Sequence, residues 1–374
     1  MPLRSDCPLF LKPRLRLFLS ADIVGSTALK QSQVITLRDK ESKDDTPWFS
    51  IIQGFYIEAQ LAFFSAWRDS TKKVISSESL CGPPPELWKT VGDEILFTKV
   101  LTDYRQLSLA LECWISALGK IRSFLKRNDN RLDVKATAWI AGFPVKNKDV
   151  VSVKSGSLLS ADPQDYFVES GIILNEYYTD PGASKASIDF VGPSVDVGFR
   201  LASHASARRF VVSVGIPYIL SLTTPDDDAL DQEIKFHFGG AIPLKGVFGG
   251  LPYPLFWIDM GESGTAATLE DRLTGDKPCD PRDVQKYCAA FYREQTSYTF
   301  RPFILEDGEH KLTIVPDWYV EKLDKLIENF LNPPTLITEG EDPEEPAFEG
   351  KIVAAVEIAA ALNLTTSPPD EETK

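Results

Sequence analysis

The stretch Leu15-Arg-Leu-Phe-Leu-Ser-Ala-Asp-Ile23 is dominated by apolar residues and has the length of one strand. It reads as a β-strand buried on at least one face. Asp22 stands at its end, and Gly25-Ser-Thr27 turns the chain. A carboxylate leaving a buried strand can ligate a divalent cation, and the N–H groups of such a turn can hold phosphate. The same residue can equally be a plain turn or cap. Downstream, a polar stretch runs from Gln31 to Asp45, and Thr46-Pro47 is a helix start, with Thr as N-cap and Pro in the first turn. Ile51, Ile52, Phe55, Ala59, Ala62, Phe63 and Ala66 then recur at helical spacing.

Two short strands follow, Glu86–Lys89 and Glu94–Val100, joined by a Val-Gly-Asp turn. Asp103 to Lys126 is helical, with Leu107, Leu111, Ile115, Leu118, Ile121 and Leu125 on one side, and Val134–Phe143 is a strand. Pro163–Tyr178 reads as irregular but aromatic. Ser187–Val191 is a short strand, Gly192-Pro193 opens a helix to about His204, and Arg209–Val214 and Tyr253–Ile258 are strand-like. Strands alternating with long helices predict an α/β or α+β domain ending near Asp259. Beyond it, helices are expected at Pro281–Glu294, Pro316–Leu331 and Lys351–Leu362, with an acidic linker over Glu339–Glu349. The expected division is therefore a catalytic-type domain over residues 1–261 and a helical C-terminal extension over 262–374.

Composition narrows the function. The chain has 374 residues, and 40 Lys and Arg against 54 Asp and Glu give a net charge of −14. That balance argues against a nucleic-acid partner gripped over a broad basic surface, yet leaves room for a small phosphate site. Five scattered Cys with no C-x-x-C suit a reducing compartment. The three His lie far apart, which speaks against a His-based metal site or triad. No apolar run approaches the ~20 residues of a membrane span, and no signal-peptide core is present, so a cytoplasmic protein is expected.

Two further segments carry chemistry. Lys89-Thr-Val-Gly-Asp-Glu94 presents a second carboxylate, Asp93, at a hairpin tip, although Gly-Asp is also an ordinary hairpin turn. In Asp189-Phe-Val-Gly-Pro-Ser-Val-Asp-Val-Gly-Phe-Arg200, Asp196 and Arg200 sit one helical turn apart, where a structural ion pair is the plain alternative.

Taken in order, these three segments resemble the class III nucleotidyl cyclases over roughly residues 14–259. The resemblance implies an α+β fold, ferredoxin-like, with a mostly antiparallel central sheet and flanking helices. It implies two divalent cations, Mn²⁺ or Mg²⁺, held by Asp22, Asp93 and the Ile23 carbonyl. It further implies a homodimer with its sites at the subunit interface. The partner would supply the base-selecting Lys89 and Asp189 and the transition-state Arg200. The ribose-orienting Asn of the family falls on Asp196, a departure, and its phosphate-binding Lys is matched only by Lys245. The Gly192-Pro193 turn, the polar insertion before the aromatic helix (Trp48, Phe49, Phe55, Tyr56) and Asp165–Gly171 are similar to the pyrimidine cyclases of bacterial Pycsar antiphage systems. Those enzymes make cyclic UMP or cyclic CMP from UTP or CTP, and a separate effector protein reads the product. Trp48 or Tyr56 filling a purine-sized pocket would favour a single-ring base, since overfilling costs ~1–3 kcal/mol. Lys89 with Asp189 would read as adenine-selecting in the ordinary family code, so an adenylate cyclase stays open as an alternative. So does a non-catalytic nucleotide-binding regulator. Gly92-Asp93-Glu94 also resembles the diguanylate cyclase signature, with Val91 in place of one Gly.

Overall fold

In the computed structural model, residues 4–36, 47–73, 78–153, 166–180, 186–223, 234–261, 265–308 and 310–333 are described. The chain runs β1 (Arg14–Val24), α1 (Ser26–Thr36), α2 (Pro47–Lys73), α3 (Glu78–Cys81), β2 (Glu86–Val91), β3 (Glu94–Leu101), α4 (Gln106–Asn128) and β4 (Asp133–Phe143). It continues through β5 (Lys148–Val153), α5 (Tyr166–Thr179), β6 (Ala186–Val191), α6 (Pro193–Leu201), β7 (Arg209–Val212) and α7 (Gly215–Leu220). The last elements are β8 (Phe236–Pro243), β9 (Pro252–Asp259), α8 (Thr265–Thr274), α9 (Pro281–Glu294) and α10 (Asp317–Leu331).

Seven strands form one sheet in the order β2-β3-β1-β4-β7-β9-β8, antiparallel except for the β4–β7 pair. The β2-β3-β1-β4 half, with helices between β1 and β2 and between β3 and β4, is the ferredoxin-like βαββαβ arrangement. The α+β expectation therefore holds. Alternation along β1 explains both layers. Leu15, Leu17, Leu19, Ala21 and Ile23 face the main core, into which α2 sends Phe55, Ala59 and Phe63 and α4 sends Trp114, Leu118 and Ile121. Phe18 faces the opposite side, in a second cluster with Trp139, Phe143, Phe190 and Val195. Helix α6 closes over that cluster.

The closeness of α6 to the sheet depends on Gly198. A Cβ there would fall 2.1 Å from Trp139 Cδ2, inside a ring that is 1% exposed. Ala is favoured over Gly in a helix by up to ~1 kcal/mol. Overpacking against a fixed indole costs about 1–3 kcal/mol or more, so it outweighs that gain. Gly198→Ala is expected to lower the urea midpoint of unfolding with the slope unchanged.

Several expectations need correction. Residues 31–36, read as polar connection, continue the helix α1, and Tyr166–Thr179, read as irregular, is the helix α5. Clusters of polar or aromatic residues without clean periodicity hid both. Strands β5 and β8 and helices α7 and α8 were also not anticipated. The described residues gather into two compact units, Pro13–Val150 with Ile188–Val315, and the described parts of Met1–Lys12, Val151–Ser187 and Pro316–Lys374. Helix α9 buries Val284, Cys288, Phe291 and Tyr292 in the main core of the first unit. In the second unit, Phe10 meets Phe330 of α10 edge-on at 5.0 Å, and Asn175 of α5 accepts the Leu9 N–H at 2.8 Å. The anticipated linker and the helix over Lys351–Leu362 lie outside the described residues. No helix among the described residues is long and apolar enough to cross a membrane.

Candidate active site

The end of β1 and the β2–β3 turn lie together. Ile23 N–H donates to the Asp93 carbonyl at 3.3 Å, which docks the turn on the strand end. Gly92, at φ 66°, supplies the left-handed residue the turn requires. The Asp93 carboxylate accepts from Ser26 Oγ, and Lys30 Nζ is 3.6 Å from it. From α2, the Tyr56 hydroxyl donates to the Gly92 carbonyl, so this side chain braces the turn. Burial pushes the Tyr56 hydroxyl's pKa up, Thr90 pulls it down by a hydrogen bond, and the Asp93 charge raises it further.

Asp22 points to the α6 side of the sheet, by alternation with Phe18. Its cross-strand partners are Glu94 on β3 and Lys135 on β4. Lys135 Nζ lies 2.9 Å from Asp22 Oδ2. Burial raises the Asp22 carboxyl above the ordinary range, Lys135 draws it back, and Asp93 adds repulsion. Glu94 is likewise raised by burial and by the charges of Asp22 and Asp93, against a hydrogen bond from Ser20 and the charge of Lys135. Three carboxyl groups thus crowd one corner of the sheet, with two lysine ammonium groups against them.

The donor chemistry fits hard divalent cations. Among the described residues no group of three or more His, Cys, Asp or Glu side chains forms a metal cage. Mg²⁺ is ordinarily held by one or two carboxylates plus substrate phosphates rather than by an all-protein cage. Asp22 and Asp93 would supply the two carboxylates, with mutual repulsion that bound cations would relieve.

Lys89 and Asp189, far apart in sequence, form an ion pair at 2.7 Å. Lys89 Nζ also sits 4.1 Å over the Trp88 ring and 5.8 Å from Phe199 of α6. Trp88 in turn packs edge-on against Phe18 at 5.0 Å. The pair therefore offers a donor and an acceptor side by side at the rim of an aromatic cluster. Both side chains are partly exposed, so their attraction is solvent-screened.

Asp196 and Arg200 are exposed on α6, and neither makes an ion pair with a described residue. The structural alternative for that pair is thus not seen. Lys245 is exposed in the turn after β8, where Gly246 adopts φ 76°. No contact among the described residues joins Arg200, Asp196 or Lys245 to the Asp22 cluster. Trp48 is partly buried against the main core.

Sequence reading missed four residues of this corner: Lys135, Glu94, Ser26 and Lys30. Glu94 could have been found from its place directly after Asp93. Lys135 could not, because only the β1–β4 register sets it opposite Asp22.

No protein-family profile matches the chain, and no curated protein does. Among solved structures, the adenylyl cyclase CyaB from P. aeruginosa is similar, with 12% identity and a TM-score of 0.40. That match covers 68% of this chain and 97% of the other. The guanylate cyclase domain of RhGC from Catenaria anguillulae, solved with GTP, is similar with 12% identity and a TM-score of 0.40, covering 66% and 97%.

Proposed function

We propose that the chain is a nucleotidyl cyclase that acts as a homodimer and converts UTP or CTP to the 3′,5′-cyclic monophosphate and pyrophosphate. The single observation carrying this reading is the closeness of Asp22 and Asp93, about seventy residues apart, where the β2–β3 turn docks on the end of β1 and the Asp93 charge raises the Asp22 carboxyl. In the reaction the 3′ hydroxyl loses its proton, an O3′–Pα bond forms, and the bond from Pα to the bridging oxygen of pyrophosphate breaks. Two divalent cations, Mn²⁺ or Mg²⁺, would make that hydroxyl acidic and neutralise the triphosphate. Asp22 and Asp93 would hold them, with the Ile23 carbonyl as a further ligand.

The remaining roles belong to side chains that bind and orient. Tyr56, through Gly92, fixes the turn that carries Asp93. Lys89 would donate to the base and Asp189 would accept from it. From the partner subunit's copy of α6, an exposed guanidinium equivalent to Arg200 would meet charge developing on the α-phosphoryl group. Asp196 would orient the ribose, and Lys245 would contact the phosphates. A donor beside an acceptor matches the carbonyl and N–H edge of uracil, and it matches adenine equally. The rings of Trp88 and Phe199 beside Lys89 take up space and favour the single-ring base. The resemblance to the Pycsar cyclases adds a biological role, a second messenger read by a separate effector in antiviral defence.

Adenylate cyclase is the second reading, supported by the same Lys89–Asp189 pair. Incubating the full-length protein separately with ATP, GTP, CTP and UTP, under Mn²⁺ and under Mg²⁺, decides between them. Cyclic UMP or cyclic CMP is the expected product. Cyclic AMP alone would replace the pyrimidine reading, and no product from any substrate would defeat the enzyme reading.

A further inference from the structure

Each carboxylate proposed to hold the cations carries a lysine of its own chain. Lys135 Nζ lies 2.9 Å from Asp22 Oδ2, and Lys30 Nζ lies 3.6 Å from Asp93 Oδ1. The two contacts are built differently. Lys135 stands directly opposite Asp22 in the β1–β4 ladder, so backbone pairing sets their approach. Lys30 reaches Asp93 from α1 across the longer gap, and Ser26 Oγ shares that carboxylate. Lys135 is the closer rival of a cation.

The charges of this corner give the contact a consequence. Asp22, Asp93 and Glu94 stand against Lys135 and Lys30, which leaves one net negative charge. A dication on Asp22 gains the attraction of the carboxylate but meets the Lys135 ammonium as a like charge on the same group. Two dications alone would turn the corner strongly positive. A triphosphate entering with them restores the balance. It also adds oxygen ligands of its own, the usual way in which Mg²⁺ is held.

We propose that Lys135 lowers the affinity of Asp22 for a free divalent cation, so that the site is loaded by a cation arriving with its triphosphate. The inference rests on the cyclase reading for the role of Asp22. Within that reading Lys135 regulates the site, because cations in the surrounding solution do not fill it ahead of the substrate.

Titration of the full-length protein with Mn²⁺ alone, followed by the electron paramagnetic resonance of free Mn²⁺, tests it. Lys135→Met keeps the apolar stem and removes the charge. It should bind Mn²⁺ on the order of ten-fold more tightly than wild type, and Mn²⁺ should raise its melting temperature by more than it raises that of the wild type. Lys135→Arg keeps the charge and should bind Mn²⁺ as the wild type does. A non-hydrolysable analogue of the preferred triphosphate should largely close the gap between wild type and Lys135→Met. In Asp22→Asn/Lys135→Met the gain should vanish. Four results would each overturn the proposal: Lys135→Met binding Mn²⁺ no more tightly than wild type, the same gain in Lys135→Arg, a gap the analogue leaves at its full size, or a gain that survives Asp22→Asn. The outcomes also separate this inference from the cyclase reading. Cyclic nucleotide made by a wild type whose Mn²⁺ affinity Lys135→Met does not change would sink the inference alone. Tighter Mn²⁺ binding by Lys135→Met, in a chain that makes no product from any of the four triphosphates, would sink the cyclase reading and leave the competition at Asp22 standing.

Discussion

Asp22→Asn protein, supplied with the preferred triphosphate and saturating Mn²⁺, is expected to make cyclic nucleotide on the order of 10³-fold more slowly than wild type, or not at all. The amide keeps the size of the carboxylate and can still accept a hydrogen bond from Lys135, so the fold has little reason to fail. What is lost is one of the two charges proposed to hold the cations. It is also the charge whose repulsion with Asp93 the proposed cations would relieve. The measurement is initial rate by product chromatography across a Mn²⁺ titration, with thermal unfolding as the folding control. Wild-type rates in a folded Asp22→Asn protein would remove the carboxylate pair from the chemistry.

The second large effect tests whether one site draws on two chains. Arg200→Ala alone is expected to lose about 10²–10³-fold in rate, the worth of one preorganised charged donor in the transition state. Mixing it with Asp93→Asn protein should then restore activity. After free exchange half of the dimers are mixed, and each mixed dimer carries one intact site of two. The mixture should therefore reach about a quarter of the wild-type rate. Neither variant can recover if Arg200 serves the Asp22 and Asp93 of its own chain. An inactive mixture whose mixed dimers are visible by native mass spectrometry would place all three residues in one subunit's site.

Much of the fold was legible because its signals are local. The alternation that buries Leu17 and Leu19 on one side and Phe18 on the other is written into β1, and the apolar spacing of α2 and α4 declares their buried faces. Elements without a clean period were not legible. Tyr166–Thr179 carries apolar residues on more than one side, and Ser26–Thr36 is largely polar. Both take their helical state from context rather than from amphipathic patterning. The fate of α9 was hidden for another reason. Its apolar stripe was plain, but a stripe does not say against what it packs, and here Cys288 and Phe291 enter the main core.

The candidate site divides the same way. From the sequence alone came Asp22 at a strand end, Asp93 at a hairpin tip, and Asp196 and Arg200 one turn apart on a helix, because each depends on residues close along the chain. Only the tertiary structure decided which of them meet. Strand register sets Lys135 and Glu94 on either side of Asp22, and the approach of β6 to β2 joins Asp189 to Lys89. Chain neighbours share dihedral preferences that a sequence displays, whereas residues from distant segments meet through pairing and packing that no single segment encodes. That is why the two acidic side chains could be named in advance, and why the lysines that balance their charge could not.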